Sequence, residues 1–321
     1  MKILFIFTGG TIGSTRKNDG YISTDSNKSY ILLDKYREVY GIDFEMDLCE
    51  PYRILSENAS GIQIRTLLTV LEETLSKDKK EIDGVIVTHG TDTLKYSASA
   101  AALLFRDSFV PVFFVSSNHT LEETSANGIA NLHGAISCIR KGEKKGVWIS
   151  YQNPGEETQI LDPLYTVGPE AYSDALYDLR DFEPEKGMRK RHFSLPGSLM
   201  TDAEIAGRRK EIIADLDENC ENVLMLTSYP GRVYPDIPKN TRYIIHGTYH
   251  SGTINTASEE ALLFFREAKS RHIPVFLSGC TEGIGYESTS VFDDLGLLPA
   301  VDISPQALYM LLWLGLWTKE Q

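Results

Sequence analysis

The first half of the chain alternates short apolar runs with longer stretches whose apolar residues recur at helical spacing. KILFIF (Lys2–Phe7), GVIVTHG (Gly84–Gly90), FVPVFFVSS (Phe109–Ser117) and KGVWISY (Lys145–Tyr151) read as strands. Between them, in chain order, GIQIRTLLTVLEETLSKD, TLKYSASAAALLF and SANGIANLHGAISCIRKG read as helices. A strand that is apolar along its whole length is buried on both faces. Alternation with helices therefore predicts a parallel sheet covered by helices on either side. In such sheets ligands bind beyond the carboxyl ends of the strands.

From Glu183 to about Asn222 the pattern weakens into mixed charge, with a basic cluster at Arg189-Lys190-Arg191. That stretch reads as a linker carrying at most one solvated helix, and the basic cluster as its exposed face. Alternation then restarts with NVLMLTSYPG, TRYIIHGTYHSG, SEEALLFFREAKSR, HIPVFLSGC and SPQALYMLLWLGLW. The expected fold class is α/β: a large N-terminal parallel-sheet domain with helices on both faces, plus a smaller C-terminal α/β domain. The boundaries read as 1–184, a linker at 185–222, and 223–321.

Composition narrows the function classes. The chain has 321 residues, 42% hydrophobic and 24% charged, which fits a soluble globular protein. A formal net charge of −13 argues against nucleic acid as a partner, because phosphate contacts need a basic face. Cys49, Cys138, Cys220 and Cys280 are isolated, with no metal-ligand spacing, and read as thiols in a reducing compartment. The apolar run Tyr309–Trp317 is too short to span a bilayer, and the start lacks the apolar core of a signal peptide. A cytoplasmic protein with no membrane partner is expected.

The candidate chemistry sits in two loops. The first, TGGTIGS, places Thr11 directly after Gly9 and Gly10, with Tyr21 ten residues on. The second, THGTDTL, follows the second strand and supplies Gly90, Thr91 and Asp92. Each puts a threonine just past a strand end, where Gly10 and Gly90 let the backbone approach a ligand. A threonine hydroxyl needs an acceptor for its proton before it attacks, and backbone N–H groups of a glycine turn can hold an oxyanion. That combination suits acyl transfer on an amide or ester. Either loop alone reads first as an ordinary turn, and His89 as a turn or strand-end histidine satisfied by hydrogen bonds. Neither the dinucleotide glycine spacing nor a P-loop is present.

Taken together, TGGTIGS with its following GY and HGTDTL resemble the two signature motifs of the bacterial-type L-asparaginase family. SENAS (Ser56–Ser60), SANGIANLHGAI (Ser125–Ile136), YPG (Tyr229–Gly231) and GTYHSGT (Gly247–Thr253) extend the resemblance over nearly the whole chain. The resemblance implies hydrolysis of the side-chain amide of L-asparagine, or of a related small carboxamide, without metal or organic cofactor. It implies a homodimer or homotetramer. Thr11 would be the nucleophile and Tyr21 its assisting lid. Thr91 and Asp92 would form a second catalytic group, with Asp92 also holding the substrate's amino group. Ser56 and Glu57 would bind the substrate's carboxylate and amino ends.

Four departures accompany the resemblance. The family's second group includes a lysine from a segment reading R-x-x-K; here no Lys or Arg lies between Lys145 and Arg180. Lys95, close behind Asp92, would point to solvent from the helix that opens there and is not expected to replace it. Asn127 stands where the family usually has Asp, and Ser116-Ser117-Asn118 replaces a Thr-Gly turn. In the C-terminal half His250 and Ser251 stand near where many members place an interfacial Asn, and Glu282 or Glu287 could supply a carboxylate. The alternative function is an impaired relative that binds a small amino acid in a regulatory role.

Overall fold

The computed structural model describes residues 1–16, 22–24, 30–76, 81–181, 193–280 and 285–319. The first expected strand is β1 (Lys2–Phe7). A short antiparallel pair, β2 (Ser14–Arg16) and β3 (Ile22–Thr24), follows it. Then come α1 (Ile31–Tyr40), β4 (Glu45–Cys49), α2 (Gly61–Leu75), β5 (Gly84–Thr88) and α3 (Leu94–Leu104). The half closes with β6 (Val112–Val115), α4 (Gly128–Lys141), β7 (Val147–Gln152) and β8 (Thr158–Leu161). These strands form one sheet in the order β4-β1-β5-β6-β7-β8, parallel except for the β7–β8 pair.

Side-chain alternation explains why both faces need helices. Ile3, Phe5 and Phe7 of β1 pack with Ile86, Phe113 and Val115 against α1 and α4. Ile6, Val85, Val87, Val112 and Phe114 face the other way, against α2 and α3. β4 and α1 are not legible in the apolar pattern. β4 is an edge strand with the sequence EMDLC and is largely exposed; it is held by backbone pairing with β1, by the Lys2–Asp47 ion pair at 2.8 Å and by the half-buried Met46 and Cys49.

Two short antiparallel pairs stand apart from the main sheets: β9 (Thr166–Val167) with β10 (Tyr177–Asp178), and β11 (Ser198–Leu199) with the C-terminal β16 (Trp317–Thr318). The second sheet is parallel throughout, in the order β12 (Val223–Leu226), β13 (Tyr243–Gly247), β14 (Val275–Cys280), β15 (Leu297–Val301). Its helices are α6 (Glu259–Ser270), α7 (Phe292–Leu295) and α8 (Pro305–Trp313). Leu226, Ile244 and Leu277 pack on α6, whereas Tyr243, Ile245 and Phe276 join α8 in the core that continues into the first sheet. The expected α/β architecture, a large parallel-sheet domain and a smaller α/β domain, is the one observed.

The helix of the linker stretch is α5 (Asp202–Ala214), opened by a capping box between Thr201 and Glu204. It is not solvated as expected. Ile205, Ile212 and Ile213 are buried beside α2, and Arg209 donates to Leu104 O at 2.6 Å and to Asp107 at 2.6 Å. Its charged residues mask an apolar face that only the neighbouring helices reveal. The basic cluster Arg189-Lys190-Arg191 lies outside the described residues. No helix among the described residues is long and apolar enough to cross a membrane.

Candidate active site

The chain leaves β1 toward β4 on one side of the sheet and returns through α2 to β5 on the other. The loops after β1 and β5 therefore diverge at the point where strand order reverses, which is where an open α/β sheet offers a crevice. Both glycine turns begin there.

Backbone contacts close the crevice floor. Thr8 ends β1 with its Oγ1 donating to Thr88 O at 2.7 Å, tying the two strand ends together. Gly9 and Gly10 follow at φ +98° and +78°, which side chains rarely adopt. Gly10 N–H donates to Ile54 O at 2.8 Å, and Ile54 N–H to Thr8 O at 3.2 Å, so the chain before Ser56 extends the sheet locally. A Cβ on Gly10 would lie 2.4 Å from Gly90 Cα, and a Cβ on Gly90 would lie 2.4 Å from Ser56 Oγ. The first turn meets both Gly90 and Ile54 backbone to backbone, and the Ser56 side chain closes against Gly90.

Thr11 and Thr91 are each the next residue after that contact. Thr11 opens a 3-10 turn (Thr11–Gly13) and is half-buried; Gly13 N–H and Ser14 Oγ both donate to Gly10 O, at 3.1 and 2.7 Å. Thr91 is half-buried and Asp92 exposed. Ser56, itself buried, donates from Oγ to Asp92 Oδ2 at 3.3 Å, and Thr93 Oγ1 donates to Ser56 O at 3.1 Å. Glu57 is exposed on the same short turn, Ser56–Asn58. Of the expected site residues, Thr11, Thr91, Asp92, Gly10, Gly90 and Ser56 thus gather in one crevice, with Glu57 at its edge. Tyr21 lies outside the described residues, as does Glu282.

His89 is a turn residue. It is buried, its Nδ1–H donates to Gly90 O at 2.9 Å, and desolvation pushes its pKa down to about 4. A ring held neutral, with one nitrogen committed to its own turn, has little to offer as a base at neutral pH.

The third strand end is cross-linked by side-chain hydrogen bonds. Asn118 and Asn127 exchange hydrogen bonds, backbone N–H to side-chain oxygen, at 2.9 and 3.0 Å. The Asn127 amide then donates to Gln152 O at 2.8 Å. Asp at this position could accept from Asn118 but could not donate to Gln152, so the departure from the family pattern is built into the local bonding. In the second sheet, His250 is exposed, Ser251 Oγ bonds Thr253 Oγ1 at 2.9 Å, and Glu287 is exposed.

Lys95 overturns one expectation. It is only 5% exposed, on a helix enclosed by α2, α8 and the 162–170 segment, and does not reach into solvent. The run Ser97–Ala102, SASAAA, carries the signal for this. A helix small or apolar on every side is a buried helix, whatever its charged residues.

The described residues contain no cluster of His, Cys, Asp or Glu able to hold a metal ion. What the crevice contains is hydroxyls, a carboxylate and turn amides, a set suited to acyl transfer.

Known proteins resemble the chain in sequence and in fold. The family model described as asparaginase, N-terminal matches residues 2–163. The L-asparaginase of Thermococcus kodakarensis is 24% identical over 319 residues, covering 98% of this chain and 92% of that protein. A glutamyl-tRNA(Gln) amidotransferase component of Sulfolobus acidocaldarius is 25% identical, covering 97% of this chain and 70% of that protein. The solved structure of the thermostable T. kodakarensis L-asparaginase superposes with a TM-score of 0.73 at 21% identity, over 99% of this chain and 94% of that one. A probable cytoplasmic L-asparaginase from Campylobacter jejuni gives 0.70 at 21%, over 98% and 94%. With its family model matched across the whole of the first sheet and both glycine turns, the chain belongs to the asparaginase family.

Proposed function

We propose that the chain is an amidohydrolase that converts L-asparagine, or a related small carboxamide, to the acid and ammonia through Thr11. The observation that carries this reading is the Gly10–Gly90 contact, which sets Thr11 and the Thr91–Asp92 pair side by side at the strand-order reversal. Its relatives named L-asparaginase, aligned along nearly the full chain, support it.

In this reading Thr11 Oγ attacks the carboxamide carbon, and amides of the glycine turn hold the oxygen that becomes charged. The hydroxyl proton passes to the amide nitrogen, the C–N bond breaks, and ammonia leaves. Water then hydrolyses the Thr11 ester, returning a proton to Oγ. Asp92 and Glu57 are the anions for the substrate ammonium; the Ser56 hydroxyl, turned from Asp92 once the ammonium takes its place, donates to the substrate carboxylate. The Ser56–Asp92 bond is long at 3.3 Å, so the Asp92 carboxylate has capacity left for an ammonium group. Tyr21, outside the described residues, keeps in this reading the role of assisting Thr11 that the resemblance implies. A cytoplasmic homodimer or homotetramer goes with this assignment, as does the absence of any cofactor.

The test is ammonia release from L-asparagine, L-glutamine and other carboxamides by the parent and by Thr11→Ala. Turnover of asparagine that falls about 10³-fold or more in the variant supports the mechanism. Turnover unchanged by Thr11→Ala would sink it, and tight binding of aspartate with no turnover of any amide would favour the regulatory alternative.

A further inference from the structure

A cavity of about 440 Å³ opens where α2, α3, α8 and the segment before β12 meet, a size that suits a small-molecule site. Ile64, Tyr96, Tyr309 and Met310 give it an apolar wall, with the two tyrosine rings edge-on at 5.7 Å. It is separate from the crevice above, since Thr11, Ser56, Thr91 and Asp92 do not line it. Cys220, on its rim, holds φ +56°, a conformation that is costly for a residue with a side chain and recurs at ligand clamps.

The charge facing the cavity has one sign. Glu218 is the charged side chain that lines it among the described residues. Burial raises the pKa of both Cys220 and Tyr309, and the field of Asp217 adds in the same direction. Arg65 pairs with one Glu218 oxygen at 2.5 Å without lining the cavity, and a carboxylate can accept from a second cation. The first turn of α2 has little left for an anion: Ile62 N–H donates to Ser60 Oγ and Ile64 N–H to Ser60 O, both at 3.3 Å. A carboxylate beside aromatic walls suits an organic cation.

The cavity also shares a wall with the substrate turn. Ala59 N–H and Thr93 Oγ1, from two lining residues, both donate to Ser56 O, at 3.0 and 3.1 Å. We propose that this cavity is a second small-molecule site, for an organic amine with an apolar body, and that its occupant and a substrate at Ser56 bind with positive coupling. The coupling rests on the amidohydrolase reading above; the amine site does not. The ammonium lies against Glu218 and the apolar body against Tyr96 and Tyr309. Order that the amine imposes on Ala59 and Thr93 is order the substrate no longer has to supply, and linkage makes the effect reciprocal.

The experiment titrates phenethylamine into the full chain by calorimetry, with and without saturating L-aspartate. Alkylation of Cys220 by N-ethylmaleimide is followed in parallel by mass spectrometry, with Cys49, Cys138 and Cys280 as internal references. Expected is one amine per chain with a Kd of roughly 0.1–1 mM, tightened about fivefold by aspartate, and slower alkylation at Cys220 alone. Glu218→Gln should weaken the amine roughly three- to tenfold. Phenylacetate, with the same ring and the opposite charge, should give no protection; protection equal to that by the amine overturns the choice of a cation. No amine binding, displacement of the amine by aspartate, or binding that leaves Cys220 alkylation unchanged each overturns the site. Protection of Cys220 with amine affinity unchanged by aspartate overturns the coupling. A chain that binds no aspartate and hydrolyses no amide overturns the amidohydrolase reading and the coupling with it, while the alkylation result still decides the amine site.

Discussion

Gly10 and Gly90 touch through their backbones: a methyl group on the first would sit 2.4 Å from the Cα of the second. No side-chain adjustment relieves that contact, because both partners are main chain. Gly10 also lies at φ +78° and ψ −179°, a region essentially confined to glycine. Gly10→Ala should therefore cost on the order of 1–3 kcal/mol from backbone strain, before any displacement of the two loops is counted. It should also separate Thr11 from Thr91. Thermal unfolding and amide turnover measured together check this: both should fall, activity by far the more. A variant as stable and active as the parent would show that the two turns do not meet as described.

Asp92 offers the crevice its clearest test of substrate charge. Its carboxylate accepts one long bond from Ser56 and is otherwise exposed, so Asp92→Asn keeps the shape and removes the charge. A charge-assisted hydrogen bond contributes roughly 1.5–3 kcal/mol, which predicts a fall in kcat/KM of about 10- to 150-fold. If Asp92 holds the substrate ammonium, an analogue lacking the α-amino group should lose little further on the variant. Equal losses for both substrates would place the carboxylate elsewhere in the reaction.

These contacts show which parts of the molecule the sequence discloses. The strands β1, β5, β6 and β7 are legible because burial on both faces keeps them mostly apolar, with Thr88 and Ser150 as buried polar exceptions. β4 is not, since an edge strand buries little more than Met46 and Cys49 and tolerates Glu45, Asp47 and an exposed Leu48. Thr11, Thr91 and Asp92 are legible as motif residues. Thr8 and Ile54, which bind the floor together, leave no trace, because their roles depend on carbonyls 80 and 46 residues away in sequence. The burial of Lys95 is signalled only by the small, apolar run Ser97–Ala102 that follows it, on a helix that α8 covers from the far end of the chain with Tyr309 edge-on to Tyr96 at 5.7 Å.

Asn127 shows how a departure from a family pattern can be structural. Its oxygen accepts from Asn118 and its amide donates to Gln152 O, so both ends are used. Asn127→Asp would leave the Gln152 carbonyl unpaired and set a carboxylate against it. The expected loss is about 1–3 kcal/mol, seen as a lower midpoint in urea. Asn127→Ala removes both bonds and serves as the upper limit. An Asp variant as stable as the parent would mean that water satisfies Gln152 equally well.

His89 sets a pH dependence of stability with a definite sign. Its pKa stands at about 4 in the folded chain, against 6.5 as the ordinary value. Between those values the unfolded chain takes up a proton that the folded chain refuses. The neutral ring's stabilising contribution is complete above about pH 6.5 and is lost as pH falls toward 4. The difference corresponds to about 3 kcal/mol, with His246 adding in the same direction because burial also lowers its pKa. His89→Gln keeps a donor for Gly90 O without a titrating group. Urea unfolding at pH 7.5 and at pH 4.5 should then show a smaller acid-induced loss in the variant than in the parent. Carboxylate titration is common to both proteins and cancels in the comparison. Identical losses would mean that His89 is protonated in the folded chain, and that its turn is held by something other than the neutral ring.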